Sequence, residues 1–121
     1  GLSGAVVVCT PQKVALLDAV KAISMFNQVN IPILGIVENM SGEIFGRGGA
    51  REQAKKSGVP FLGEMPIAAE IREFGDAGRM SEIFSEENPV RAELQAVCQN
   101  IAMEVARKLI ETPALPSLEI L

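Results

Sequence analysis

Three short apolar runs set the rhythm of the chain: Ala5-Val6-Val7-Val8-Cys9, Ile33-Leu34-Gly35-Ile36-Val37, and Phe61-Leu62-Gly63 within the stretch 59–65. Runs of this length without polar alternation suit strands buried on both faces, as in a parallel sheet covered by helices. Between the first two, Val14, Leu16, Leu17, Val20, Ile23 and Phe26 recur at helical spacing. Lys13, Asp18, Lys21 and Gln28 fall largely outside that face. Thr10-Pro11 predicts the start of this helix, with Thr as cap and Pro in the first turn, and Asn30 and Pro32 mark its end. A short polar helix is expected over 50–57, stopped by Gly58 as the residue after the helix. Another is expected over 69–74, followed by a Gly75-Asp76-Ala77-Gly78 loop.

Asn88-Pro89 signals a further helix start. Val90, Leu94, Val97, Ile101, Val105 and Leu109 then follow at steps of three and four, the strongest amphipathic pattern in the chain. Pro113 and Pro116 end it and leave a tail over 113–121. The alternation of strands and helices predicts an α/β fold, an open and mainly parallel sheet flanked by helices. Three strands are few for such a sheet, and a very apolar strand at residue 5 is expected to have neighbours on both sides. The 121 residues therefore read as a single partial α/β domain, the C-terminal part of a larger one.

Composition narrows the chemistry. Eleven Lys plus Arg against fifteen Asp plus Glu give a net charge of −4, which argues against a nucleic-acid partner. The chain has no His, so a Ser-His-Asp triad, a histidine base and a His-ligated metal are all excluded within it. Cys9 and Cys98 are far apart and sit in apolar runs, which suits a reducing compartment better than a disulfide framework. No apolar run reaches the ~20 residues of a membrane span, so no membrane partner is expected.

Ligands of open α/β sheets bind beyond the carboxyl ends of the strands. That rule selects Thr10-Pro11-Gln12, Glu38-Asn39-Met40-Ser41 and Met65-Pro66-Ile67-Ala68. Asn39 is the sharpest candidate, because a carboxamide can donate and accept as the N7 and N6 edge of adenine requires. The plainer reading is that Asn39 caps a turn. Gly46-Arg47-Gly48-Gly49 lacks the Lys-Ser/Thr ending of a phosphate loop and reads as a turn feeding a helix. Glu38 and Glu64, both near strand ends, read as surface carboxylates rather than an acid/base pair. Arg72 and Arg79 either meet phosphate or are solvated. Cys98 is expected on the apolar face of the last helix.

Several longer stretches follow one another in a distinctive order: Leu2-Ser3-Gly4-Ala5-Val6-Val7-Val8, Thr10-Pro11-Gln12, Val14-Ala15-Leu16-Leu17-Asp18 and Ile31-Pro32-Ile33-Leu34-Gly35-Ile36-Val37-Glu38-Asn39-Met40-Ser41. Ile44-Phe45-Gly46-Arg47-Gly48-Gly49, Gly58-Val59-Pro60-Phe61-Leu62-Gly63-Glu64-Met65-Pro66-Ile67 and Ile71-Arg72, with Asp76 and Gly78, continue the order. Together they resemble the Mrp/ApbC family, P-loop ATPases of the MinD/ParA-like group that carry iron–sulfur clusters. The resemblance implies an ATP-binding homodimer that delivers [4Fe–4S] clusters to apo-protein clients, in the cytoplasm or alternatively the mitochondrial matrix. It implies that Asn39 is the adenine-reading Asn, that Pro66-Ile67-Ala68 is the strip beside the base, and that Met40 belongs to the same nucleotide site. The family's phosphate loop and Mg²⁺-binding Asp motif lie upstream of a segment like Leu2-Ser3-Gly4. Its C-x-x-C pair lies between segments like Asn39-Met40-Ser41 and Ile44-Phe45-Gly46, where this chain has only Gly42 and Glu43. No catalytic residue and no metal ligand is therefore expected within the chain. Two other readings remain at this level: a MinD/ParA-like positioning ATPase, and a nucleotide-free interaction fragment.

Overall fold

The computed structural model describes residues 2–85 and 88–111. The expected tail over 113–121 lies outside the described residues. Strands β1 (Ala5–Cys9), β2 (Ile33–Ser41) and β3 (Phe61–Pro66) alternate with helices α1 (Lys13–Gln28) and α2 (Gly49–Ser57). Helix α3 (Ala69–Asp76), a 3-10 turn (Met80–Phe84) and the long helix α4 (Arg91–Glu111) follow. The three strands are parallel in the order β1-β2-β3, as the unbroken apolar runs predict.

The central strand buries a different cluster on each face, with a register irregularity near Gly35. Ile33 and Ile36 of β2 join Val7 and Cys9 of β1 beneath α1 and α2, where Ala19, Ile23, Ala50 and Ala54 close the layer. Val37 faces the other way and packs with Leu62 of β3 and Val97 of α4. The sheet thus lies between α1 and α2 on one face and α4 on the other. Asn100 adds a polar tie, its Nδ2 donating to the Leu62 carbonyl at 2.8 Å. A third cluster, Ile83, Val90 and Leu94 with Ile71 and Phe74 against it, fastens α3 and the 3-10 turn to the start of α4. Ile83 is wholly buried, so Ile83→Ala is expected to cost about 2–5 kcal/mol. A lowered urea midpoint with an unchanged slope checks that expectation.

Three sequence expectations need correction. Helix α1 starts at Lys13 with Gln12 in the cap position, not at Thr10-Pro11, and no side chain caps it. The Thr10 hydroxyl donates instead to Gln12 Oε1 at 3.3 Å. The buried side of α1 runs through Ala15, Leu16, Ala19, Ile23 and Phe26, whereas Val14, Leu17 and Val20 point outward. Strand β1 pairs only with β2 among the described residues and so lies at an edge of the sheet. Helix α4 packs against β2 and β3, so Val8 on that face of β1 stays 56% exposed. On α4, finally, Cys98 is exposed rather than on the packed stripe. Leu109 is exposed too, and the buried position near that end is Glu104, whose carboxylate meets Arg107 at 3.2 Å. Helix α4 likewise starts at Arg91, beyond Asn88-Pro89, though the Asn88 Oδ1 does accept the Val90 N–H at 3.0 Å in the turn that leads into it.

Candidate functional site

Strand β2 continues past its apolar run to Ser41, and its last residues leave the regular ladder. Glu38 pairs with Glu64 and Ser41 with Pro66, so three steps on β2 match two on β3. The extra residue forms a bulge at Asn39-Met40, where Met40 adopts a left-handed backbone with φ 57°. The Asn39 Oδ1 accepts the Met40 N–H at 3.0 Å and supports that conformation. Its Nδ2 keeps both donors available.

The bulge opens onto a cavity of about 450 Å³ at the carboxyl end of the sheet. Asn39, Met40, Pro66, Ile67 and Ala68, the five positions selected from the sequence, line it together. Ala69, Ile71 and Arg72 from the first turns of α3 complete the wall. The lining is apolar apart from one carboxamide and one guanidinium, a combination suited to a flat heteroaromatic ring with a polar edge. Arg72 is largely exposed and its contact with Glu73 is loose, at 3.9 Å. Arg79 lies apart from the cavity, paired with Glu82 at 3.3 Å and set over the Phe74 ring.

Glu38 is not a surface carboxylate. It is fully buried, and its Oε2 accepts the Ser41 hydroxyl at 2.5 Å and the Gly48 N–H at 3.3 Å. Its Oε1 accepts the Ala50 N–H at 3.0 Å. These amides belong to the N-terminus of α2, so the glycine-rich segment that superficially suggests a phosphate site already holds the protein's own anion. Glu64 is half-buried and pairs with Arg47 at 3.2 Å, well separated in role from Glu38. The sequence signal for Glu38 was present: an acid continuing a wholly apolar run, with Ser three positions on and Gly48-Gly49 ahead.

The place where the resembled family carries C-x-x-C is a tight turn here. Gly42 and Gly46 exchange backbone bonds of 2.8 and 2.7 Å, and Ile44 at the tip is exposed. The described residues hold no cluster of three His, Cys, Asp or Glu side chains able to bind a metal. Cys9 is buried in β1 and Cys98 is exposed on α4, so they form no thiolate set. Burial, with the nearby Glu38 charge adding to it, pushes the Cys9 thiol above its ordinary value. Iodoacetamide at pH 8 is therefore expected to label Cys98 readily and Cys9 only after unfolding, which peptide mass mapping would read.

Residues 1–102 match the family described as "ParA: NUBPL iron-transfer P-loop NTPase". The chain belongs to that family. It is 40% identical over 114 residues to an iron-sulfur cluster transfer protein, NUBPL, of Dictyostelium discoideum, covering 86% of this chain and 35% of the relative. The chain thus spans about a third of the length of the curated relatives it matches. Among solved structures, a nucleotide-binding protein from Archaeoglobus fulgidus in complex with ADP superimposes with a TM-score of 0.60. It is 36% identical, with 72% of this chain and 41% of that one covered. The cell division ATPase MinD of Pyrococcus furiosus superimposes with a TM-score of 0.71 at 23% identity, over 84% of this chain and 43% of that one. That likeness is one of fold, and it agrees with the open parallel sheet between helices. No helix among the described residues is long and apolar enough to cross a membrane.

Proposed function

We propose that this chain forms the adenine-binding side of an ATP-binding iron–sulfur cluster carrier. The cavity carries the reading: five residues from two strand ends meet around one apolar slot with a single carboxamide at its edge. Asn39 Nδ2 donates to a ring nitrogen of the purine, and the free lone pair of Oδ1 accepts from the exocyclic amine. Guanine presents an oxygen where adenine presents that amine, so the carboxamide favours adenine. Met40, Pro66, Ile67 and Ala68 exclude water from the ring faces. The ADP held by the Archaeoglobus fulgidus relative supports a nucleotide in this fold.

The phosphates and Mg²⁺ are held by parts of the full-length protein that the chain does not supply. The [4Fe–4S] cluster is cargo, and the thiolates that bind it are not among these residues. Transfer to apo-protein clients, assembly as a homodimer and residence in the cytoplasm or mitochondrial matrix complete the reading. The names of a bacterial cluster carrier and of a plant mitochondrial iron–sulfur protein support the carrier role and the two compartments.

In the full-length gene product, Asn39→Ala is expected to weaken ADP binding about tenfold, the loss of one or two hydrogen bonds at a partly buried edge. Calorimetric titration checks this, with GDP as the comparison. An unchanged ADP affinity would remove the adenine assignment. Anaerobic reconstitution with iron and sulfide tests the cargo separately: a protein that binds nucleotide yet takes up no cluster is not a carrier.

A further inference from the structure

We infer that Glu38 and Ser41 are positioning residues of the purine pocket, acting through a hydrogen-bonded staple that sets the bulge at Asn39-Met40. The inference rests on the adenine reading above and extends it to two residues that do not line the cavity. Glu38 and Ser41 flank the two bulged residues, and both are buried to within 1% of full burial. Their side chains join at 2.5 Å, so the short segment between them is held by its two ends.

Each end is anchored in turn. The carboxylate is fixed by the Gly48 and Ala50 amides at the start of α2. Ser41 is fixed by the opposite wall, because its backbone carbonyl accepts the Ile67 N–H at 3.1 Å. One residue therefore ties both sides of the slot: its hydroxyl holds the strand that carries Asn39, and its carbonyl holds the strand end that carries Ile67. A regular ladder would turn residues 39 and 40 to alternate faces with no extra residue, and the Asn39 amide would lose its aim. The left-handed backbone at Met40 is unfavourable for a non-glycine residue and persists because the flanking bonds hold it.

A merely structural role predicts lower stability with unaltered ligand preference. A positioning role predicts a change in which base is chosen. The test measures ADP and GDP affinities by calorimetry on the full-length gene product carrying Ser41→Ala, Asn39→Ala, or both. Ser41→Ala is expected to reduce the ADP-over-GDP preference about 3- to 10-fold. Added to Asn39→Ala, it should change that preference no further, because both act on one amide. Ser41→Cys is nearly isosteric and a weak donor, so it keeps the packing if the alanine variant folds poorly, and it should lose most of the same preference. If Asn39→Ala abolishes the preference while the Ser41 variants keep it within about twofold, the staple inference is wrong and the pocket reading stands. If Asn39→Ala itself leaves the preference intact, the pocket reading fails and the inference falls with it.

Discussion

Replacing Glu38 by Ala is expected to destabilise the fold by about 3–5 kcal/mol, the largest effect of any single polar substitution in the sheet. The carboxylate is wholly buried and accepts bonds from the Ser41 hydroxyl and from the Gly48 and Ala50 amides. Its removal leaves those three donors without partners in a space that a methyl group does not fill. A buried donor left unmade costs about 1–3 kcal/mol, and the vacated volume adds to that. The start of α2 also loses the negative charge that its dipole favours. Urea unfolding followed by circular dichroism gives the number. Hydrogen exchange locates it, with the amides of residues 48 and 50 expected to lose protection first. A loss below about 1 kcal/mol would mean that water replaces the carboxylate without penalty.

Gly35→Ala is expected to cost about 3 kcal/mol by a different route. Gly35 is the third residue of β2, the strand with neighbours on both sides. A Cβ there would stand 2.6 Å from Leu62 Cγ and 2.6 Å from the Pro60 carbonyl oxygen. Leu62 is buried and has little room to turn. The Pro60 oxygen accepts the Ile36 N–H at 2.9 Å, so it cannot retreat without breaking the ladder. Overpacking of this kind costs about 1–3 kcal/mol when side chains can yield, and the upper end applies where backbone blocks the way. Gly75→Ala is the control. It lies inside α3 with only Met80 Sδ near, at 3.6 Å, and is expected to be neutral or stabilising by up to about 1 kcal/mol. Thermal unfolding of both variants separates crowding from a general glycine effect.

Much of this architecture was legible from the chain alone. The three strands, their parallel pairing and the order of the helices follow from unbroken apolar runs alternating with helical spacing. The rule that ligands sit beyond strand ends selects the segments 38–41 and 65–68, and the family resemblance singles out Asn39, Met40, Pro66, Ile67 and Ala68 within them. The harder parts were those where one residue's environment depends on a distant one. Glu38 looks like any strand-end acid until the turn over 42–48 brings the α2 amides onto it. Val14, Leu17 and Val20 look like core until the packing chooses the Ala15, Ala19 and Ile23 side of α1. Small residues on that side let α1 approach the sheet closely, a preference that a count of large apolar residues conceals. Cys98 is exposed although it adjoins the buried Val97, and Leu109 is exposed although it continues the spacing of Leu94 and Val97, because periodicity marks an apolar face without saying which positions a neighbour covers.

The paired glycines at 42 and 46 carry a consequence of their own. Ser41, which leads into this hairpin, is held by the Glu38 carboxylate and by the Ile67 N–H, and Gly48, which follows it, is held by Glu38 as well. Extra residues spliced between Glu43 and Ile44 would lengthen a solvent-facing arch whose closure cost rises by only about 0.6 kcal/mol per doubling. Length added to the arch therefore costs the fold little, and the cavity lined by Asn39 and Ile67 takes none of its walls from it.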